Sequence, residues 1–290
     1  MWPGGGDGSG SVGGEDTVLA MAHPDADAIL AWYAAVRRDL PWRRTTDPYR
    51  ILVSEVMLQQ TQVARVVPYY EAWLARFPSE GALAQAQTAD VLRCWSGLGY
   101  NRRALALQAA CGVVTRESWP RTVEGLLALP GVGPYTAAAV ASFAFGVQAA
   151  AVDTNVRRVI ERLDRRRRRP PELARRAQAI VPDGRAADWN QALMELGATV
   201  CSARAPSCDA CPAASCRSQG RPDVAPTARR GGERVRFEET DRYVRGRVVA
   251  ALVAGEALPG GIEPARLERA LAGLERDGLV VREAGAVRLP

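Results

Sequence analysis

Four cysteines crowded into the second half of the chain have the type and spacing needed to bind a metal. They are separated by six, two and four residues and are Cys201, Cys208, Cys211 and Cys216. Four thiolates this close together suit either a zinc ion or an iron–sulfur cluster. Disulfide bonds are the alternative, but the N-terminus has no basic region followed by an apolar core, so we expect a reducing compartment. Spacing alone supports zinc and an iron–sulfur cluster equally.

A glycine turn between two apolar helical segments is a second candidate for chemistry. Its sequence is Leu129-Pro130-Gly131-Val132-Gly133-Pro134-Tyr135-Thr136. Gly131 and Gly133 let the backbone take positive φ and approach a ligand, while Pro134 suits the first position of the next helix. Unpaired N–H groups at that helix start would bind a backbone phosphate of DNA without reading sequence. The steric demands of a tight turn account for the glycines equally well.

Helical periodicity dominates the segments that must position these residues. It covers Asp25 to Asp39 and Ile51 to Phe77, where we expect an interruption at Pro68. Further helical patterns cover residues 89–95, 104–115, 123–129, 135–145, 155–163, 172–180 and 188–199. Strand-like alternation is almost absent before residue 278. The body is therefore predicted to be all-α.

Composition limits the class of partner. The formal net charge of +6 and the pI of about 9.3 favour an anionic partner such as nucleic acid. All 38 basic side chains are arginine, because the sequence contains no lysine. No apolar stretch is long enough to cross a bilayer, so we expect a cytoplasmic protein with no membrane partner.

Composition also divides the chain. Residues 1–22 are rich in Gly, Asp and Ser and are predicted to be a disordered leader, and residues 222–238 to be a linker. The tail, residues 239–290, has two helical patterns followed by two short strand patterns. That order is similar to the end of a winged helix. We expect this tail to contact DNA or a repair partner, or to serve only as a packing cap.

Several longer motifs make the chain similar to a known family. They follow one another at the family's spacing over about residues 25 to 220 and are Leu40-Pro41-Trp42-Arg43, Val53-Ser54-Glu55-Val56-Met57-Leu58-Gln59-Gln60-Thr61-Gln62-Val63, Trp95-Ser96-Gly97-Leu98-Gly99-Tyr100, the glycine turn, and Asn190-Gln191-Ala192-Leu193-Met194-Glu195-Leu196-Gly197. Together they closely resemble the adenine-specific DNA glycosylases of the MutY family.

The resemblance implies a helix-hairpin-helix glycosylase fold over residues 23–221. A helical barrel subdomain, about residues 42–147, and an iron–sulfur subdomain, about residues 23–41 and 148–221, would flank a DNA groove. It also implies that the four cysteines hold a [4Fe-4S] cluster. The four residues between Cys211 and Cys216 are one fewer than the family's usual five.

The resemblance also assigns two catalytic carboxylates. Glu55 matches the general acid and base, which protonates adenine and then serves the incoming water; its apolar neighbours could raise its pKa by desolvation. Asp153 matches the carboxylate that stabilises positive charge at the anomeric carbon. Asn155 and Tyr135 match the residues that support it.

The remaining matches form a base pocket and a DNA wedge. Leu40, Trp42, Arg43 and Gln59 match the adenine pocket, although Leu40 and Trp42 could also be core residues. Gln60 and Tyr100 match residues that wedge into the stack around the opposing base. Lesion recognition is expected to involve Thr61 and Leu98, and phosphate binding to involve Gly131 and Gly133.

The implied activity is hydrolysis of the N-glycosidic bond of adenine opposite 8-oxoguanine or guanine in duplex DNA, by a monomer. Endonuclease III, a related family, uses a lysine at the position of Tyr135 to cleave the strand, so a lysine-free chain is expected to be monofunctional. We expect the chain to lack the family's C-terminal Nudix-like domain. The alternatives are a thymine or uracil mismatch glycosylase and a non-catalytic iron–sulfur DNA-binding protein.

Overall fold

The computed structural model describes residues 23–220, 236–283 and 286–290, and this part of the chain is mostly helical. The expected leader and most of the expected linker lie outside these residues. The helices of the body are α1 (Ala26–Val36), α2 (Pro48–Leu58), α3 (Val63–Arg76), α4 (Glu80–Ala84), α5 (Thr88–Trp95), α6 (Arg102–Glu117), α7 (Val123–Leu127), α8 (Pro134–Phe145), α9 (Thr154–Leu163), α10 (Pro170–Ala179) and α11 (Ala186–Thr199). The all-α prediction for the body is confirmed.

The tail contains the two helices and two strands that its sequence predicts. They are α12 (Asp241–Ala254), α13 (Pro264–Arg276), β1 (Val281–Glu283) and β2 (Ala286–Arg288). The strands are antiparallel, and Val281 lies opposite Arg288. Among the described helices, none is long and apolar enough to span a membrane.

Local capping signals determine where the helices around the glycine turn begin and end. The Thr122 hydroxyl accepts a hydrogen bond from Gly125 N at 3.1 Å at the start of α7. Pro134 occupies the first turn of α8, and Gly146 ends that helix with a left-handed φ of 66°. The turn is therefore held between two well-defined helix ends.

The interruption expected at Pro68 is wrong. The break falls earlier, between Leu58 and Val63, and Pro68 lies inside α3. A proline removes one helical hydrogen bond, but the same helix buries Tyr70 and Trp73 against the core, and this packing outweighs the local cost.

Four apolar clusters hold the described residues together, of which three are large and the fourth is a small group of alanines in α8 and residues 149–151. The first lies among α2 to α8 and contains the fully buried Tyr49, Trp73 and Trp95. The second joins α1 to α9, α10 and α11 around Trp189. The third joins the tail to Leu92 of α5. Each large buried side chain contributes about 1.5–3 kcal/mol, and α8, which contacts both α2 and α11, links the first two cores.

The tail packs against helices α5 and α6. Val244 and Val248 of α12 are buried in the third core. Asp277, just after α13, forms ion pairs with Arg245 of α12 and with Arg102 of α6, the latter at 3.5 Å. Apolar and ionic contacts thus fix the tail against the body.

Candidate active site and nucleic-acid interface

Helix α2 carries a glutamate into the interior of the protein. Asp47 caps this helix by accepting a hydrogen bond from Tyr49 N at 2.9 Å. Glu55 lies on the buried face, and only 5% of the residue is exposed. Its Oε2 atom has no hydrogen-bond partner among the described residues. Because a buried carboxylate oxygen without a partner is costly, Glu55 is a candidate for a functional role.

The surroundings of Glu55 raise the pKa of its carboxyl group to about 7. Burial is the largest cause, because it penalises the charged form. Interaction with Tyr135 lowers the pKa, the charge of Asp153 raises it, and the charge of Arg43 lowers it. Near neutral pH this group can therefore both donate and accept a proton.

Asp153 is the N-cap of α9, and its carboxylate is held on both oxygens. Its Oδ1 accepts a hydrogen bond from Val156 N at 2.7 Å, and its Oδ2 accepts one from Asn155 Nδ2 at 3.1 Å. Asp153 and Asn155 are only partly buried. The carboxylate is thus fixed in direction at a helix N-terminus, where negative charge is favoured.

A buried arginine connects this carboxylate to the cysteine segment. Arg158 donates through Nη2 to Asn155 Oδ1 at 2.9 Å and to the Gly197 carbonyl at 2.6 Å. Its Nε donates to the Cys201 carbonyl at 2.8 Å. Asp153, Asn155, Arg158 and Cys201 therefore form one continuous series of hydrogen bonds. The sequence analysis missed Arg158, because helical periodicity places it opposite the apolar face of α9 that Val156 and Val159 form.

Tyr135, in the first turn of α8, reaches the same region. Its hydroxyl lies 3.7 Å from the sulfur of Met194. Burial and the neighbouring Glu55 raise the pKa of Tyr135 well above its usual range. The phenol therefore stays protonated at neutral pH and can donate a hydrogen bond, but it offers no amine nucleophile.

Most of the predicted site residues line one cavity, which we call the catalytic cavity. Its volume is about 650 Å³, within the range of pockets that take small organic groups. The predicted residues that line it are Leu40, Trp42, Arg43, Glu55, Gln59, Gln60, Thr61, Tyr135, Asp153 and Asn155. Both carboxylates therefore face a space large enough for a purine base.

Arg43 is held in the catalytic cavity by a buried acid that the sequence analysis did not single out. Glu195 is fully buried and accepts hydrogen bonds from Arg43 Nη2 at 2.7 Å and from Arg38 Nε at 2.6 Å. Burial raises the pKa of Glu195, but these two arginines outweigh it and the pKa is lowered. The ring of Trp42 packs edge-on against the ring of Tyr70, and the two ring centroids are 5.4 Å apart. This contact fixes the orientation of Trp42.

The two predicted wedge residues have strained backbones. Gln60 has a φ of 60° and Tyr100 a φ of 48°, and Tyr100 is exposed. Leu98 differs from expectation, since it is buried in the first core and offers only its carbonyl, which accepts from Arg103. Thr61 Oγ1 lies 3.5 Å from an Arg103 nitrogen, at the edge of hydrogen-bonding distance.

The glycine turn has one positive φ, not two. Gly131 has a φ of 73°, and a Cβ there would come within 2.5 Å of Ala106. Gly133 instead has a φ of −93° and is the N-cap of α8, with open space where a Cβ would stand. Among the described residues no side chain caps α8, so the N–H groups in its first turn have no side-chain partner and could bind an anion.

The four clustered cysteines line one small cavity together with Arg162. Arg162 is buried, and its Nη1 lies 3.3 Å from the Cys201 sulfur, while its Nε has no partner among the described residues. Within the described part of the chain, no three His, Cys, Asp or Glu side chains are grouped to hold one metal ion. Four thiols that line one cavity suit either a zinc ion or an iron–sulfur cluster.

The chain is similar to known DNA repair proteins. Residues 53–183 match the model of the HhH-GPD superfamily of base excision DNA repair proteins. An adenine DNA glycosylase from Mycolicibacterium smegmatis is 44% identical over 273 residues, which cover 88% of this chain and 92% of the relative.

Two solved structures share the fold and cover 68% of this chain. A thermostable thymine-DNA glycosylase is 32% identical, with a TM-score of 0.63 and 95% of its chain covered. Endonuclease III in a non-covalent DNA complex is 26% identical, with a TM-score of 0.59 and 94% covered. Fold and cavity together define a DNA glycosylase of base excision repair. The chain belongs to the adenine DNA glycosylase family, MutY, as its motifs indicate.

Proposed function

We propose that the protein hydrolyses the N-glycosidic bond of adenine mispaired with 8-oxoguanine or guanine in duplex DNA. The observation that carries this proposal is the pairing of Glu55, with a pKa of about 7, and the fixed carboxylate of Asp153 in one cavity. A proton donor and a separate anionic group are the two requirements for cutting a glycosidic bond through an oxocarbenium-like transition state.

The mechanism begins with flipping of the adenine nucleotide into the catalytic cavity. Glu55 donates its proton to N7 of the base as the bond from the sugar to N9 breaks and its electron pair passes to the base. Asp153 faces the positive charge that develops on the sugar and stabilises it. Glu55, now ionised, accepts a proton from the water that attacks the anomeric carbon. Neutral adenine and an abasic site are the products.

The base pocket supports this assignment. Trp42, held against Tyr70, offers a rigid aromatic surface, and Arg43 is anchored by Glu195. Gln59 and Leu40 also line the cavity. A pocket with few, well-positioned polar groups and apolar walls is suited to hold one base in a fixed orientation.

The protonated Tyr135 supports a monofunctional reaction. A lyase step requires an amine that attacks the sugar to form a Schiff base. Tyr135 occupies the position from which a related enzyme uses lysine, and a phenol cannot form that bond. The strand is therefore left intact after the base leaves.

The residues also fit a [4Fe-4S] cluster held by Cys201, Cys208, Cys211 and Cys216. Four thiolates suit it, and the buried cation of Arg162 beside Cys201 would offset the negative charge of the thiolates. When bound, the cluster would cross-link the cysteine segment and stabilise it. We also propose that the chain is divided into a barrel subdomain, an iron–sulfur subdomain and a C-terminal tail.

A single-turnover assay tests the proposed function. Duplexes carrying A:8-oxoG, A:G, T:G and U:G are incubated with excess protein, and the released base is identified. Adenine release from the first two is expected, with Asp153→Asn slower by on the order of a hundredfold. Absence of release from all four would reject the enzymatic proposal, and release of thymine or uracil would assign the chain to mismatch repair at those bases.

A further inference from the structure

The cavity lined by the four clustered cysteines, which we call the cysteine cavity, also contains a serine whose hydroxyl group has no partner. Ser218 lies two residues after Cys216 and lines this cavity. Only 3% of Ser218 is exposed. Its Oγ atom is buried and forms no hydrogen bond with any described residue. Because burying a hydroxyl group without a partner is unfavourable, Oγ requires a partner other than the described protein atoms.

The segment that carries Ser218 is tied to the rest of the protein on both sides. Ser215 donates to the carboxylate of Asp25 through its backbone N at 3.0 Å and through its Oγ at 2.5 Å. The backbone N of Arg217 donates to the carbonyl of Leu163, the last residue of α9, at 3.0 Å. The backbone next to Ser218 is therefore fixed, and its hydroxyl group cannot reach a distant acceptor by a shift of the segment.

A second buried donor of the cysteine cavity lacks a partner in the same way. Arg162 lines the cavity, and only 3% of it is exposed. Its Nη1 donates to the Ser202 carbonyl at 2.7 Å, and its Nη2 donates to the Ala203 carbonyl at 3.1 Å. Its Nε has no acceptor among the described residues. Two residues that line one cavity thus each have a buried hydrogen-bond donor without an acceptor.

These donors distinguish between the two groups that suit four thiolates. Within the described part of the chain, no cysteine sulfur accepts a hydrogen bond from Ser218 Oγ. A zinc ion is itself a cation and brings no hydrogen-bond acceptor. An iron–sulfur cluster brings inorganic sulfides, which accept hydrogen bonds. The two unpartnered donors therefore favour the cluster.

We propose that the Ser218 hydroxyl group donates a hydrogen bond to a sulfur of the [4Fe-4S] cluster and thereby raises the reduction potential of the cluster and slows its oxidative loss. Hydrogen bonds to the sulfurs are among the factors that set the potential of such a cluster, because they stabilise its more negative oxidation state. The Nε of Arg162 is the second donor. Neither residue is a ligand, so both act on the cluster from outside the four thiolates.

This inference rests on the cluster that is part of the proposed function, and it adds a residue beyond the four cysteines. Ser218 is the better residue to test. Replacing Arg162 would also release the carbonyls of Ser202 and Ala203, and so disturb the loop after Cys201. Ser218→Ala breaks no side-chain hydrogen bond to a described residue, so it removes only the proposed donor.

Voltammetry of the anaerobically purified full chain tests the proposal. Ser218→Ala is expected to shift the midpoint potential of the cluster to more negative values by about 59 mV, which is a tenfold change in a one-electron equilibrium. Ferricyanide should then bleach the visible absorbance of the cluster faster than in the wild type, because a lower potential makes oxidation easier.

Resonance Raman spectroscopy gives a readout that a packing role would not change. A donor bonded to a cluster sulfur exchanges its proton in D2O, and the Fe–S stretching bands shift as a result. This shift should be smaller in Ser218→Ala than in the wild type. Ser218→Thr keeps the hydroxyl group. If Ser218→Ala is purified without its cluster, retention of iron and sulfide by Ser218→Thr supports the proposal, and loss from both variants overturns it.

Ser215→Ala is the matched control. Ser215 directly precedes Cys216, but its hydroxyl group is bonded to Asp25 and it does not line the cysteine cavity. The substitution removes the same atom from the same segment. The midpoint potential and the deuterium shift of Ser215→Ala should therefore equal those of the wild type.

The possible failures can be told apart. An unchanged potential and deuterium shift in Ser218→Ala would overturn the inference and leave the hydroxyl group bonded to a buried water. Equal changes in the two serine variants would assign the effect to packing of the segment. Wild-type protein that holds zinc and no sulfide would reject both the proposed cluster and this inference. Absence of base release by wild-type protein with a full cluster would reject only the proposed enzymatic activity.

Discussion

The Nε of Arg158 donates to the carbonyl of Cys201 at 2.8 Å, so the N-terminal half of α9 and the cysteine segment are held as one unit. The same guanidinium holds Asn155, which in turn holds Asp153. The direction of the Asp153 carboxylate, which we propose to be catalytic, therefore depends on contacts with the cysteine segment.

Arg158→Gln should slow base release more than it weakens DNA binding. The variant loses the contacts to Cys201 and Gly197, so Asp153 is less firmly oriented, and losses of supporting contacts of this kind cost on the order of ten- to a hundredfold. The measurements are single-turnover rates and the affinity for a non-cleavable duplex. Arg175→Gln, an exposed position on α10, is the control and should match the wild type. A rate unchanged in Arg158→Gln would contradict the positioning role.

The rate of base release should fall as the pH rises through about 7. Glu55 must be protonated to donate to the leaving base, and its pKa of about 7 means that the proton is lost over this range. Single-turnover rates measured from pH 5.5 to 9 on an A:G duplex test this. A rate that stays level to pH 9 would assign the proton donor to another group.

Glu55→Gln should stabilise the folded protein at alkaline pH while abolishing base release. The folded pKa of Glu55, about 7, lies above its ordinary value of 4.5, so the folded state binds more protons between these pH values. The protonated carboxyl makes its full contribution to the free energy of unfolding below pH 4.5. As the pH rises through 7 this contribution is lost, and the free energy of unfolding falls by about 3 kcal/mol in total. Unfolding free energies at pH 5 and pH 8 measure the difference.

The exposed Glu117, at the end of α6, provides the control for this stability prediction. Glu117→Gln should leave the pH dependence of the unfolding free energy unchanged. A Glu55→Gln protein whose pH dependence equals that of the wild type would show that the buried carboxyl is not the source of the effect.

Loss of any one cluster cysteine should remove iron and sulfide from the purified protein. Cys208→Ala takes one thiolate from the cavity beside Arg162, and the second core would lose a cross-link at its edge. Cys94→Ala is the control, because Cys94 packs against the first core and lies apart from the other thiols. Iron and sulfide determined per chain after anaerobic purification decide the result. Equal metal content in the two variants would contradict the cluster assignment.

Tyr135→Lys should add strand cleavage to base removal. An amine at this position would lie beside Glu55, and burial lowers the pKa of a lysine, so part of it would be neutral and nucleophilic. Borohydride trapping of a covalent protein–DNA adduct, followed by gel electrophoresis, measures this. Tyr135→Phe should give no adduct. Absence of an adduct with Tyr135→Lys would show that the position does not face the sugar.

Local signals were sufficient for much of the fold. Thr122, Pro134 and Gly146 mark helix ends by their own hydrogen-bonding and backbone preferences, and the structure places them there. The short helix α4, Glu80–Ala84, was missed; its sequence Glu-Gly-Ala-Leu-Ala has one large apolar residue, Leu83, and so no apolar periodicity. The helix break predicted at Pro68 was wrong, because packing of α3 in the first core outweighs the cost of a proline inside a helix.

The supporting residues of the site could not be predicted in the same way. Arg158, Arg162 and Glu195 are charged residues whose burial depends on partners 39 or more residues distant, such as Cys201 for Arg158, 43 residues away. Periodicity predicts a solvent-exposed face for such residues. The contact of Arg242 in α12 with Tyr100 depends on how the tail packs against the body, which no pattern within either segment encodes.

The basic side chains of the catalytic cavity have a consequence for the fate of the product. Removal of a base leaves a sugar in equilibrium with its open-chain aldehyde, which condenses readily with primary amines. Arg38 and Arg43, which line that cavity, present guanidinium groups, which are poor nucleophiles because they stay protonated. The enzyme can therefore hold damaged DNA by positive charge without becoming covalently trapped there by the reactive end it creates.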